Sequence, residues 1–331
     1  MKKYLLPERG NFYKANLHAH TNMSDGQQNP EEVKDFFKKN GYSVVAYTDH
    51  DVFVDRSHLC DDEFVALNGL EMEINGINYG RGWTDQQSCH INFIALDPDN
   101  LNTPCYHRTK YLYANAPKYR NLMKYDESLP DYDRFYDPNR INDMFLEGRN
   151  KGFFTVYNHP ICSLEHYPFY SKLNYMHALE LYNGPYDYCP HVYDDLLWLG
   201  KTIYCVGGDD SHSEAGSLFS WTMFKAEKLD YRTITKALLD GHFYASQGPE
   251  IFELYVEDGV MHVKTSDAQS IHFITAARSS ARKDVTAPKG TYINEASFKI
   301  LPECVYVRVL VVGPDGKTAS TNAFASYDLL H

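Results

Sequence analysis

Ser43-Val44-Val45-Ala46-Tyr47-Thr48-Asp49-His50-Asp51 is the stretch from which the fold class follows. Ser43 to Tyr47 are small, β-branched or aromatic and largely apolar on both faces, which suits a strand buried on both sides in a parallel sheet. Thr48-Asp49-His50-Asp51 then places three ionisable residues where parallel sheets and barrels carry catalytic groups, at a strand's C-terminal end. An Asp-rich turn opening a helix explains these four residues equally well, so the neighbouring segments have to decide. Upstream, Pro30 to Asn40 fits a helix, with Asn29 as N-cap, Pro30 at the first position and Gly41 beyond the end.

The same arrangement recurs along the chain. Phe64-Val65-Ala66-Leu67 leads into Gly69-Leu70-Glu71, Phe153 to Tyr157 into Asn158-His159-Pro160, and Thr202 to Val206 into Gly207-Gly208-Asp209-Asp210-Ser211-His212. His90 opens the run Ile91 to Leu96, after an irregular stretch from Asn75 to Ser88. Earlier still, His18-Ala19-His20 puts two imidazoles on one face of an extended segment. Glu71 and Glu73 share a face if their strand continues, and spacing alone leaves both open as metal bridges. Each group has a structural explanation by itself, but four apolar runs are followed by a His or Asp/Glu group, and the six clusters together hold six of the chain's 15 histidines. Nitrogen and oxygen donors in this mixture suit Mn, Zn or Fe, and there is no thiolate set for a structural zinc. Strands alternating with helical segments up to about Gly241 predict an α/β layer or barrel.

At these residues the sequence resembles the PHP (polymerase and histidinol phosphatase) domain family. Five elements occur in the family's order: His18-x-His20 with Ser24-Asp25-Gly26, then Thr48-Asp49-His50-Asp51, Gly69-Leu70-Glu71, His159-Pro160, and Asp210-Ser211-His212. The resemblance spans roughly residues 14 to 246 and implies a distorted (β/α)7 barrel. It implies two or three divalent ions: one held by His18, His20, Glu71 and Asp210, a second by Glu71, His90 and His159, a third by Asp25, His50 and His212. The Gly-x-Glu spacing of the motif selects Glu71 over Glu73. The implied activity is metal-dependent hydrolysis of a phosphate ester, in which cations neutralise the anionic oxygens and acidify an attacking, ion-bridging water. A metal-bound water, Asp49 or His58 is the candidate to protonate the leaving oxygen, and Arg81, Arg134 and Arg140 are candidates to clamp the phosphate. Asp209 departs from the small residue usual before the ligand Asp, and no role for it follows from the sequence.

Bulk properties narrow the alternatives. The chain has 331 residues, 43% hydrophobic and 23% charged, as in an ordinary globular protein, with 27 tyrosines. A net charge of -12 without a Lys/Arg strip disfavours duplex nucleic acid and leaves a small phosphorylated substrate as the expected partner. Seven scattered cysteines predict reduced thiols and a cytoplasmic protein, and no stretch approaches the ~20 apolar residues of a membrane span. Asp97 to Asn139, rich in Tyr, Asp, Asn and Pro, interrupts the pattern and reads as a partly ordered lid. After Gly248-Pro249 the strand-like runs Ile251–Val256, Met261–Thr265, Ile271–Thr275 and Val305–Val312 predict a small β-sandwich. The expected domains are thus 1–246, with an insert at about 97–139, and 247–331, and cutting near Gly248 is expected to leave the metal site intact, with any cost falling on stability or substrate choice. Competing functions are an amidohydrolase-type C–N hydrolase, against which stands the lack of an evident metal-bridging lysine, and a metal-bound binding protein without turnover. Substrate identity and oligomeric state are not legible in the sequence.

Overall fold

Asn29 starts the first helix as its position predicts: its side chain accepts the Glu32 amide, and the Glu32 carboxylate returns to the Asn29 amide, a capping box. This helix, α1 (Pro30–Lys39), buries Val33 and Phe37. The computed structural model describes residues 2–277 and 283–331. Strands β1 (Lys2–Tyr4) and β2 (Asn11–Ala19) precede α1, and β3 (Val44–Tyr47) and β4 (Val65–Asn78) follow it. β2, β3 and β4 lie side by side and parallel. β5 (Gln86–Ala95) pairs antiparallel with β4, and α2 (Pro138–Asn150) leads to β6 (Phe153–Asn158), antiparallel to β5. The expectation of parallel strands fails at Ile91–Leu96. Between Asn78 and Gln86 too few residues remain for a crossover, which needs a dozen or more, so the chain turns back on itself. Most of the stretch read as irregular, Asn75 to Ser88, therefore belongs to the two arms of this hairpin or to the short 3-10 turn at Gly82–Asp85.

α3 (Tyr167–Tyr170), β7 (Ala178–Asn183), β8 (Asp187–Tyr188), α4 (Pro190–Trp198) and β9 (Tyr204–Gly208) come next, and β6, β7 and β9 run parallel. Past β9 the chain comes back to the end of β2. His20 N–H donates to Ser211 O at 2.8 Å, and Ser211 N–H to His18 O at 3.2 Å. β10 (Trp221–Ala226) adds to β2, α5 (Tyr231–Asp240) follows, and β11 (Phe243–Ser246) adds to β10, both pairings antiparallel. Val44, Ala46, Val65, Leu67, Ile94, Val156 and Val206 meet in one buried cluster. Each such side chain contributes roughly 1.5–3 kcal/mol by leaving water. The result is a mixed α/β unit with a large central sheet.

The remaining chain is β12 (Ile251–Glu257), β13 (Val260–Ala268), β14 (Ser270–Thr275), β15 (Lys283–Thr286), β16 (Ile293–Lys299), β17 (Tyr306–Val312), β18 (Thr318–Thr321), β19 (Phe324–Ala325) and the short helix α6 (Ser326–Leu330). One layer is the four-stranded sheet β1-β12-β13-β16; the other contains β15, β14, β17 and β18. Leu254, Val256 and Val263 of the first share a core cluster with Phe273, Val307 and Val309 of the second. The chain's pairing crosses the 246/247 boundary twice. β18 pairs with β11, so the second layer continues the main sheet into 15 strands, and β1 from the N-terminus registers with Tyr255–Glu257 of β12.

Candidate metal centre

β2 ends with His18 and His20 on one face, both essentially inaccessible to solvent. Their Nε2 atoms lie 3.3 and 3.0 Å from Asp210 Oδ1 and 3.2 and 3.3 Å from Glu71 Oε2. These contacts lack hydrogen-bond geometry: both Nε2 atoms and Asp210 Oδ1 are buried without a hydrogen-bond partner. Donors bound about 2.0–2.2 Å from a shared ion end up roughly 3–3.5 Å from one another, so this spacing fits a cation at their centre. The other Glu71 oxygen, Oε1, faces His90 Nδ1 at 3.1 Å and His159 Nε2 at 3.2 Å, and accepts Asn158 Nδ2 at 2.8 Å. One carboxylate thus joins two donor groups. Asp25, His50 and His212, with His20, form a third group, in which His212 Nε2 lies 3.3 Å and His50 Nε2 3.9 Å from Asp25 Oδ2. Glu73, the alternative left open by spacing, is 3.8 Å from His90 Nε2 and about one-third exposed, while Glu71 is buried.

Charge at the centre is tightly balanced. Burial alone would depress His18, His20 and His159, but the surrounding carboxylates outweigh it. They hold His18 well above the ordinary imidazole value, His20 at about 10 and His159 at about 9. Burial wins at His50, which falls to about 3 and stays neutral. Burial opposes ionisation of Glu71 and Asp210 too, yet the histidines keep both well below the usual carboxylate range. Metal ions would replace these protons, since imidazole ligates in its neutral form.

Residues outside the motifs hold the ligands in place. Glu180 on β7 is buried and accepts from His18 Nδ1 at 3.0 Å, which leaves Nε2 to face the cluster; its other oxygen accepts Asn183 Nδ2 at 2.9 Å. Such a carboxylate–imidazole contact fixes the tautomer of a metal-binding histidine. Gly208 is required here, because a Cβ would lie 2.9 Å from His18 Cβ and 3.0 Å from Glu180 Oε1. Ser163 Oγ contacts His159 Nδ1 at 3.0 Å, and Ser88 Oγ contacts His90 Nε2 at 3.1 Å. His159 (φ 24°), Asp210 (φ 51°) and Asp51 (φ 58°) adopt left-handed backbone that costs of order 1–3 kcal/mol each and recurs at functional sites. Glu180 escaped the sequence motifs, although a lone carboxylate inside the apolar strand Ala178–Asn183 was a signal in itself.

The two side chains considered as proton donors are elsewhere engaged. Asp49 is buried, accepting from Thr21 N at 2.7 Å, Ser24 Oγ at 2.9 Å and Arg56 Nη2 at 2.8 Å; it braces the turn that carries Asp25. His58 is exposed on a surface turn, 3.6 Å from Glu31. Of the three candidate phosphate clamps, Arg81 is exposed near the hairpin turn, and Arg140 is exposed on α2, 3.4 Å from Asp143. Arg134 reaches Asp51, the neighbour of His50, but its side chain is buried and its Nη2 is committed to Asp51 Oδ1 at 2.5 Å. No lysine enters the centre: Lys225, the one buried lysine among the described residues, bonds Phe252 O on β12.

No family model and no curated protein matches the chain. Solved structures do. A two-domain protein from Bacteroides vulgatus, described as containing a PHP-like metal-dependent phosphoesterase, is 17% identical over 97% of this chain and 98% of its own, with a TM-score of 0.47. A protein from Bifidobacterium adolescentis described as a metal-dependent phosphoesterase is 15% identical over 71% of this chain and 98% of its own, TM-score 0.39. The lesion-specific endonuclease EndoQ from Pyrococcus furiosus is 14% identical over 69% of this chain and 56% of its own, TM-score 0.40. The first of these descriptions names the family that the sequence motifs resemble, and the chemistry here rests on the centre's own geometry.

Proposed function

We propose that the protein is a PHP-type, metal-dependent phosphoesterase acting on small phosphorylated molecules. The observation that carries this reading is the convergence of unpartnered buried donors from His18, His20 and Asp210 on Glu71, whose second oxygen meets His90 and His159. Two or three divalent ions, Mn, Zn or Fe, are the cofactors that this donor set suits. Such ions, when bound, supply the positive charge that neutralises phosphoryl oxygens and brings the pKa of water down to about 7. The protein's own part is to hold three donor groups at fixed spacing, to set the His18 tautomer through Glu180, and to keep bulk water from the buried ligands. The return of Ser211 to β2 supports the further reading that β2 to β7 and β9 close into a distorted seven-stranded barrel, with the centre toward the C-terminal ends of its parallel strands. The absence of a lysine from the centre favours phosphoester over C–N hydrolysis.

The test is metal analysis together with hydrolysis of an aryl phosphate before and after chelation. Two to three equivalents of metal and chelator-sensitive turnover are expected, and Asp210→Ala should lose both together while the chain stays folded. Turnover by Asp210→Ala at full metal content, or a folded chain without metal affinity, would overturn the reading.

A further inference from the structure

Outside the ligand set lies a cavity of about 400 Å³, walled by Tyr186, Asp187 and Tyr188 at β8, Phe219 after β9, and Gln247 and Lys317 on either side of the sandwich strands. Two of its walls are tied to ligand-bearing backbone. Asp187 Oδ2 accepts the amides of Ile161 and Cys162 at 3.0 and 3.2 Å, just past His159, and Asp209 accepts the Phe219 amide at 2.9 Å, just before Asp210. The aromatic rings stay open to solvent, 58% for Tyr186 and 42% for Phe219. Asp187 is buried, yet its Oδ1 has no hydrogen-bond partner. Lys317 is exposed, with only a loose 3.7 Å contact to Asp315.

Ring faces, an unsatisfied carboxylate oxygen and an ammonium donor together match one kind of group. A carbon skeleton bearing several hydroxyls packs its C–H face on rings, donates to a carboxylate and accepts from an ammonium. A purely apolar alcohol would leave Asp187 Oδ1 unsatisfied, and the volume is that of a small-ligand site. We propose that this cavity is the subsite for the leaving alcohol, that the substrate is a phosphate ester of a sugar or polyol, and that the second unit contributes Lys317 to its recognition. This rests on the phosphoesterase reading.

The experiment compares a hexose 6-phosphate with ethyl phosphate on the metal-loaded full chain. Both esters release a primary alkoxide, so only the hydroxylated skeleton differs. The hexose ester should be favoured about tenfold in kcat/KM, through KM, and Tyr186→Ala and Lys317→Ala should each pull that ratio toward one. Saturation-transfer NMR with the free hexose, which involves no turnover, should show transfer from the native chain that is absent in both variants. Equal kcat/KM for the two esters, or a ratio untouched by both variants, would overturn the subsite. If neither ester is hydrolysed, the phosphoesterase reading fails and the NMR decides alone. Transfer to the hexose from the native chain but from neither variant upholds the cavity as a polyol site, and no transfer from the native chain refutes it.

Discussion

His50 and His20 share one donor group and carry opposite proton preferences, His50 falling to about 3 through burial and His20 standing at about 10 because Asp210 and Glu71 outweigh burial. This sets the pH response of the metal-free chain. His20 and His159 are raised above their unfolded value of about 6.5, so their stabilisation is complete below that pH and is lost as pH climbs through about 9 to 10. Glu71 and Asp210 are depressed, so theirs is lost as pH falls through the acid range, and the neutral His50 adds to the acid-side loss below about 6.5. Bound metal takes the place of the histidine protons and removes the alkaline loss. The expected outcome is a Tm gap between loaded and chelated protein that widens steadily from pH 6.5 to 10; curves that stay parallel by scanning fluorimetry would contradict this. Most of the candidate donors were legible one by one because they end or open an apolar run, whereas Asp25 and the division into three groups came only from the family resemblance. Glu180, Ser163 and Ser88 were not, because their roles exist only through contacts between strands that no local spacing encodes.

Asp209, the carboxylate without a role in the sequence, is explained by the element it anchors. It accepts the amides of Leu218, Phe219 and Ser220 at 2.8, 2.9 and 3.0 Å, and so folds the segment between β9 and β10 back beside Asp210. Burial lifts its pKa to about 6 against the pull of those three amides. Asp209→Ala leaves the amides unpaired, at about 1–3 kcal/mol for each one kept from water. Thermal unfolding should drop by several degrees and metal affinity should weaken with it, while Asp209→Asn, which keeps one acceptor oxygen, should recover part of both. A variant with native Tm and native metal affinity would remove Asp209 from this role. At this scale the sequence was informative wherever signals are local: the α1 capping box, and the strand runs at Ile251, Met261, Ile271 and Val305. It was silent on the antiparallel return of β5, because the stretch Asn75 to Ser88 reads as irregular rather than as a turn between two strand-like runs, and on the partners of β1 and β18, since pairing with strands far along the chain leaves no local trace. The insert from Asp97 to Asn139 kept its irregular character, apart from a 3-10 turn at Ala116–Leu122, yet it is anchored: Arg134 pairs with Asp51, and the Tyr113 ring sits 5.5 Å from His50.

On the scale of the whole molecule, the cost in stability of a cut near Gly248 can be traced to particular contacts. Removing the later residues would expose the β11 edge along its whole pairing with β18, and an open edge strand invites aggregation. It would also delete Asn322, whose buried side chain accepts the Cys205 amide at 3.0 Å and donates to the carbonyls of Gly241 and Phe243 at 3.0 and 3.2 Å. Arg308 would go too. Its guanidinium is buried and grips Asp194 of α4 with two bonds of 2.9 Å, and Tyr306 and Ala276 belong to the same core cluster as Leu179 and Leu196. Breaking a buried pair by removing one partner typically costs about 3–5 kcal/mol; here the uncompensated charge is Asp194, which is part-exposed, so the lower end applies. Two outcomes follow. A chain ending at Gly248 should be insoluble or strongly destabilised. Arg308→Ala in the full chain should lower Tm clearly while metal content at 25 °C stays native, because Arg308 touches none of the ligands. If the shortened chain instead proves soluble, with native Tm and full metal content, the continuous sheet contributes nothing to the metal unit and the second unit is a detachable module.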